Sequence, residues 1–458
     1  MTYQEEQNKL LNSFLDRYMK KGYSVEFIIS SVCNQQCEYC YLYKHGHEMY
    51  PPESNNKENI LKNLALLLEY LEEEGYSYNT YDVFSGEFFQ LSYWEDVFQI
   101  FYDHHKKYNK PDMVMSIPTN FSFLLEKDTT DKIEEWIQKF SEIKIFVYLS
   151  CSVDGPEDLE QLERPIAGHP NIKQGDYYDT LFKFLAKYQL VAHPMVTKNF
   201  VKNYKYHYDW WIDNVIKYDC KFTKPSGTIC NSIPMFLEVR DPNQWDEESL
   251  EDYKNFLWYV AEKDLEVLHK GNVEDFAMHM ADDFSEHMMD LGSYNHVQPY
   301  VIGLPAGQNK LPCSIQNGLV CRVGDLAIVP CHRTCYPHMV YGFFETNEEH
   351  DKILGVKGER VTLAHKIQNL NPSRSYLKCS SCELRGFCCK GCLGSQYENN
   401  RELFAPMDEV CELFKVKYKT IHEIAKHYKV YDYVKDSFNI SRERKEFIEY
   451  VRKICDRL

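Results

Sequence analysis

Several absences narrow the field before any motif is considered. No stretch of the 458-residue chain approaches eighteen or so uninterrupted apolar residues, so no membrane-spanning helix is expected. The opening stretch, MTYQEEQNKLLNSFLDRYMKKGYS, is mixed in charge and has no apolar core region, so it does not read as a secretory signal. Basic residues are outnumbered, 52 Lys and Arg against 69 Asp and Glu, for a formal charge of −17. That deficit argues against a nucleic-acid binder, which carries a basic footprint for phosphates. It leaves a solvated acidic surface or a basic partner. There is no internal repeat and no low-complexity tract, which removes solenoids and disordered tails. What remains is a globular chain of two or three domains, 44% hydrophobic and 15% aromatic.

Cysteine, by contrast, is plentiful: 17 residues. In a chain without an export signal these read as reduced, cytoplasmic thiols, and their clustering points to metal. The first cluster is SVCNQQCEYCYLY, which places Cys33, Cys37 and Cys40 directly after an apolar run. A closed structural zinc site takes four protein ligands, so a zinc reading has to borrow a distant one, such as His45 or His47. An all-cysteine iron–sulfur cluster also takes four thiolates. Three thiolates leave one iron open, which suits chemistry better than stapling.

Short apolar runs alternate with helical periods along the first half. Strands are predicted at 25–31, 80–86, 113–120, 144–155, 190–197 and 220–226. Helices are predicted at 56–75, 93–108, 130–142, 176–188 and 206–218. Such alternation predicts a parallel α/β sheet, most simply an incomplete (β/α) barrel with its chemistry at the C-terminal ends of the strands. The three cysteines fall at that end of the first strand. Further helices are predicted at 246–271 and 273–292, a cysteine- and glycine-rich region at 306–411, and a helical tail at 412–458.

The spacing Cys33-x3-Cys37-x2-Cys40, with Tyr39 before the last cysteine, resembles the radical SAM superfamily. The resemblance implies a partial (β/α)6 barrel whose [4Fe–4S] cluster offers its open iron to the amino and carboxylate groups of S-adenosylmethionine (SAM). One-electron reduction then yields a 5′-deoxyadenosyl radical that abstracts hydrogen from a substrate. FSGEFF resembles the family's Gly-Gly-Glu-Pro segment, which gives Ser85, Gly86 and Glu87 to the SAM amino group; Ser85 and Phe88 replace its first glycine and proline. SVDGPEDLEQLER is similar to a Ser-x-Asp-Gly-Pro…Arg segment of the peptide-modifying branch. It implies Ser152 at the SAM ribose and Arg164 at the SAM carboxylate. PTN, at 118–120, also fits that branch.

The run CSSCELRGFCCKGC, 379–392, with Cys411 beyond it, resembles the SPASM domain, which carries two auxiliary clusters. The resemblance implies Cys379, Cys382, Cys388 and Cys411 for one cluster, and Cys313, Cys321 and Cys331 with Cys392 for the other. Cys335 is an alternative ligand there, because the upstream half departs from the pattern. The family's glycine stands five positions before the last upstream cysteine, whereas Gly324 stands seven before Cys331. Cys389 reads as a spectator, and Cys151, Cys220, Cys230 and Cys455 as small core residues. A pair of zinc ribbons is the competing reading of this region. The domain expectation is a barrel at 1–235, a helical connector at 236–305, the SPASM domain at 306–411 and the tail at 412–458.

The resemblance implies a peptide or protein substrate and an electron donor of the flavodoxin or ferredoxin type, with no nucleic acid and no membrane. The functional expectation is a maturase that installs a thioether or carbon–carbon crosslink in a ribosomally made peptide. An anaerobic sulfatase-maturase-like Cys/Ser dehydrogenase is the alternative, and a non-catalytic metal-binding module is a third reading. Sulfatase maturases carry an aspartate base after the last upstream cysteine; here that position is His332, either a base or a group that orders a cluster. Only 32 residues precede Cys33, so a substrate leader is expected to dock elsewhere on the chain or on a separate protein.

Overall fold

The structure, a computed structural model, describes residues 2–19, 25–166, 176–223, 229–277, 280, 315, 318–368, 376–386, 388, 391–436 and 442–458. Two compact units divide the chain. The first comprises Met1–Pro194, Trp211–Met235 and Ser314–Asn369; the second comprises Met195–Trp210, Phe236–Cys313 and Leu370–Leu458.

The first unit is built as the alternation predicts. Helix α1 (Tyr3–Met19) precedes β1 (Val25–Ser30), α2 (Tyr41–Met49), α3 (Lys57–Glu73), β2 (Thr80–Ser85), α4 (Trp94–Tyr108), β3 (Met113–Thr119), α5 (Lys127–Glu142) and β4 (Ile145–Cys151). Strands β1 to β4 pair in parallel and in chain order. Two of the crossover helix ends carry clear local signals. Asn56 caps α3 by accepting from the Asn59 amide at 3.0 Å, and Asn109 ends α4 in the left-handed region. One face of the sheet is packed: the Phe27 and Tyr81 rings lie 5.4 and 4.8 Å from Phe101 of α4. The other face is open. Glu26, Asp82, Ser116 and Tyr148 form one row across β1–β4, each partly exposed, as the two-residue strand period requires.

Beyond β4 the expected six-strand pattern breaks down. Helices α6 (Glu157–Glu163) and α7 (Asp176–Tyr188) lead to a single parallel bridge between Cys151 and Ala192. Pro194 follows and has no amide to donate, so the predicted strand 190–197 does not run on in this sheet. The predicted strand 220–226 is half of an antiparallel hairpin, β6 (Lys221–Thr223) with β7 (Ile229–Asn231). Residues 224–228, between the two strands, lie outside the described residues.

The sheet grows at its other edge instead. β9 (Leu319–Arg322) pairs in parallel with β1. β10 (Ala327–Val329), β11 (Gly342–Thr346) and β12 (Ile353–Gly358) follow as antiparallel neighbours, giving the order β12-β11-β10-β9-β1-β2-β3-β4. Between β9 and β10 the turn ends at Leu326, with φ 55°. This is the position five before Cys331 where the family resemblance expects a glycine. The left-handed turn is made here with a leucine, at a conformational cost of about 1 kcal/mol.

In the second unit, β5 (Met195–Val196) and β8 (Leu237–Glu238) form a short parallel pair. After α8 (Lys198–Lys202), α9 (Tyr204–Lys217) crosses from the second unit back into the first. Helix α10 (Glu247–Lys263) realises the first predicted connector, and the tail folds as helices Asp408–His427, Val430–Asp436 and Arg442–Cys455. Most of the second predicted connector, 273–292, lies outside the described residues. No helix among the described residues is long and apolar enough to cross a membrane.

Candidate active site

The cysteine loop, 31–40, leaves β1 and is tied to the loops that follow the next three strands. The Gly86 amide donates to Ser30 O at 3.0 Å, and the Glu87 amide to Val32 O at 2.8 Å. Asn34 is bonded on both sides after β3, to Ser122 Oγ at 3.0 Å and Asn120 Nδ2 at 2.8 Å. After β4, Pro165 O accepts from the Gln36 amide and Glu163 O from the Glu38 amide, each at 3.0 Å. Cys40 then stands at the N-cap of α2.

Two features suit this loop to a bound group. Gly86 lies so close to the loop root that a Cβ there would meet Val32 O at 2.3 Å, so only glycine fits. Beside it the Ser85 hydroxyl is buried with no hydrogen-bond partner among the described residues, a donor waiting for an acceptor. Glu87 is fully buried. Its carboxylate accepts from Thr119 Oγ1 at 2.8 Å and the Asn120 amide at 2.6 Å, which joins the ends of β2 and β3. Ser152 is partly buried at the end of β4, its amide on Thr119 O at 2.9 Å.

The thiols are electrostatically coupled. Desolvation of its Sγ pushes the Cys33 thiol up, although the residue as a whole is exposed, and the charge of Glu87 adds to the shift. Burial pushes Cys37 up as well, against the pull of Arg164. Cys33 and Cys40 both act on Cys37. In the metal-free chain Cys37 is therefore a protonated thiol, which surrenders its proton when metal binds. Among the described residues no three His, Cys, Asp or Glu side chains are already drawn together as a metal site. The donor set nevertheless fits an iron–sulfur cluster: three thiols on one loop, with the buried Ser85 hydroxyl lacking a hydrogen-bond partner among the described residues.

Arg164, expected at the SAM carboxylate, is 8% exposed. Its Nη1 donates to Tyr39 Oη at 3.1 Å and Asp154 Oδ1 at 3.4 Å; Nε and Nη2 reach Gln35 Oε1, each at 3.4 Å. The sequence reading assigned no role to Asp154 or Gln35, and placed Asn120 only within the PTN segment. Asp154 sits inside the quoted SVDGP segment, so its signal was there to use.

His332 is also in the first unit. Its Nδ1 lies 2.8 Å from Glu26 Oε1, and its ring stacks on Phe84 at 4.3 Å. Next to Glu26, Asp82 is pushed up to about 7, by burial first and by the charge of Glu26 second. Cys331 and Cys335 flank His332, with Cys335 fully buried. Cys321 lies within β9, in register with Phe27 and therefore on the packed face of the sheet. Cys313 and Cys389 lie outside the described residues.

In the second unit four of the expected ligands share a cavity wall without being drawn into a metal site. Cys379, Cys382, Cys388 and Cys411 line one small cavity, with Leu384, Met407, Val410 and Phe414 as its apolar wall. Cys411 is pushed up to about 11 by burial; Lys378 opposes this, and Cys379 and Cys382 add to it. Cys392 is partly buried and heads the helix Leu393–Asn400.

No family model and no curated protein matches the sequence. Solved structures do. Native anSMEcpe with bound AdoMet is similar at a TM-score of 0.53 and 16% identity, over 90% of this chain and 100% of that one. Native anSMEcpe with bound AdoMet and Cp18Cys peptide is similar at 0.50 and 16% identity, over 90% and 99%. A third, with AdoMet and Kp18Cys peptide, gives 0.50 and 16%, over 89% and 98%. These likenesses agree on the fold: over nine-tenths of its length this chain is folded like anSMEcpe.

Proposed function

We propose that this chain is a radical SAM oxidoreductase that modifies a peptide or protein. The observation that carries the reading is the join between the cysteine loop and the SGE turn. A glycine pressed on the loop root and an unpartnered serine hydroxyl lie beside three thiols at the end of β1. Cys33, Cys37 and Cys40 would hold the [4Fe–4S] cluster, Ser85, Gly86, Glu87 and Ser152 would surround SAM, and Arg164 would stand behind the loop on Gln35, Tyr39 and Asp154. When bound, that pair supplies a 5′-deoxyadenosyl radical able to take a hydrogen atom from carbon.

The chain's own residues account for the remaining work. The open row Glu26–Asp82–Ser116–Tyr148 gives the substrate a polar wall, and the packed helices keep solvent from the other face. With His332 Nδ1 held by Glu26, its Nε2 is the ring atom free to receive a proton. Cys379, Cys382, Cys388 and Cys411 would hold an auxiliary cluster, and Cys331, with Cys321 or Cys335, part of another together with Cys313 and Cys392. Such centres would accept the electron left when a substrate carbon is oxidised.

Two forms of the reaction remain in view. Installing a thioether or carbon–carbon crosslink in a ribosomally made peptide is the first. Whole-chain similarity to anSMEcpe, an anaerobic sulfatase-maturating enzyme, favours the second, dehydrogenation of a Cys or Ser side chain. Mass spectrometry decides, after anaerobic incubation with SAM, dithionite and either a sulfatase-type Cys peptide or a cysteine-rich precursor peptide. A formylglycine aldehyde identifies the second form. Loss of two hydrogens with one thiol blocked to alkylation identifies a thioether. Unchanged peptide of both kinds, with SAM consumed, sinks the peptide reading.

A further inference from the structure

The loop that carries the three cysteines is held from behind by a buried ionic group. Asp154 is fully buried, and its Oδ2 accepts the Tyr39 hydroxyl at 2.5 Å. Its Oδ1 faces Arg164 Nη1 at 3.4 Å, and the same nitrogen donates to Tyr39 Oη at 3.1 Å, closing a three-membered ring of contacts. The Asp154 amide donates to Glu160 Oε2 at 2.8 Å, while Glu160 Oε1 stands 3.9 Å from Arg164 Nε. Trp211 Nε1 fixes the Asp154 carbonyl at 3.2 Å. One guanidinium thus lies between two carboxylates, and its remaining donors hold Gln35 inside the cysteine loop.

We infer that Asp154 is a positioning residue: through Tyr39 and Arg164 it holds the cysteine loop in register and fixes a guanidinium behind Cys37, which sets the reduction potential of a cluster bound there. The proposal rests on the reading above that the loop binds an iron–sulfur cluster. An arginine cannot discharge its proton at any relevant pH, so its charge is permanent. Buried, that charge is screened far less than at the surface. Cluster potentials respond to net charge and hydrogen bonding near the sulfurs. Arg164 favours the reduced, more negative cluster, and Asp154 and Glu160 offset it. Tyr39, one residue before Cys40, ties this balance to the chain that supplies the ligands.

The test is an EPR-monitored redox titration of the anaerobically reconstituted full chain. The loop cluster is identified as the signal whose shape changes when SAM is added. Asp154→Asn keeps the size and removes a negative charge, so the potential should shift upward. Arg164→Gln removes the positive charge and should shift it downward, while Arg164→Lys should stay near wild type. Opposite shifts with iron content unchanged support the proposal, because a merely structural role would not sort by charge. Shifts in one common direction, or none, overturn it. So does an Arg164→Gln chain that loses SAM affinity at unchanged potential, which would place the guanidinium on the cofactor. Should Asp154→Asn fail to fold, Glu160→Gln removes a charge on the other side of Arg164 and should give the same upward shift. No shift there overturns the proposal equally. A wild-type chain that takes up no cluster instead overturns the underlying reading, an outcome visible before any variant is made.

Discussion

The two cysteine regions are built on different principles. Cys33, Cys37 and Cys40 sit on one loop between strand and helix, anchored to the ends of β2, β3 and β4 by backbone and side-chain bonds. Cys379, Cys382, Cys388 and Cys411 come from a short irregular stretch and a distant helix, and line an apolar-walled cavity. The first set has three thiols with an unpartnered hydroxyl nearby; the second has four thiols and a greasy wall. If both sets bind clusters as proposed, ligand count and surroundings would separate a position kept for chemistry from one closed by protein. The barrel invests its rigidity in the open site.

The sharpest way to break the comparison is to remove each set in turn. If three four-iron clusters are present, the reconstituted chain holds about twelve irons. Alanine at Cys33, Cys37 and Cys40 should remove about four of them and all SAM turnover. Alanine at Cys379 and Cys382 should remove a similar share while some SAM cleavage persists with little modified peptide. Iron analysis alongside both product assays checks this. Normal product per SAM consumed in the second variant would make the downstream cysteines structural.

A smaller but clear effect is expected at Gly86. Alanine there would place a methyl group 2.3 Å from Val32 O, so the loop root must shift. We expect a loss of about 1–3 kcal/mol in denaturant unfolding, with weakened SAM binding. An alanine variant with unchanged midpoint and affinity would show that the SGE turn does not brace the loop.

The barrel unit should also respond to acid. Burial holds His104 down, to about 4, and it is paired with Tyr81 Oη at 3.3 Å. The unfolded chain binds this proton near the ordinary histidine value of about 6.5, so between there and about 4 it is the unfolded state that holds the extra proton. Stability should therefore fall as pH drops through that window, by on the order of 2–3 kcal/mol in total. Melting His104→Gln across the range should give a flatter profile; an identical slope would assign the acid sensitivity elsewhere. Smallest of all, Cys389→Ser should leave the iron content unchanged, as a cysteine outside the ligand spacing requires.

Much of this was legible from local pattern. The strand–helix alternation through β4 follows hydrophobic period and capping, and the cysteine loop falls where strand-end logic puts it. Cys379, Cys382, Cys388 and Cys411 line one cavity. Long-range pairing was not legible. Nothing local in LVCR tells it to lie beside β1, nearly the whole barrel away in sequence, because parallel pairing is decided by tertiary packing. Past β4 the apolar run at 190–197 reaches the main sheet only through the Cys151–Ala192 bridge, since Pro194 has no amide to donate. Arg164 was read as a ligand-facing residue from its motif, yet its guanidinium is spent on Gln35, Tyr39 and Asp154. Sequence shows that an arginine is present, not which of several carboxylates it meets.

The central claim is that the loop after β1 binds a cluster that works on SAM. The most direct measurement is 5′-deoxyadenosine formed from SAM by the anaerobically reconstituted, dithionite-reduced chain, beside the chain with Cys33, Cys37 and Cys40 replaced by alanine. The account predicts steady formation in the first and none in the second. Equal formation in both, or none from a fully iron-loaded wild-type chain, would contradict it.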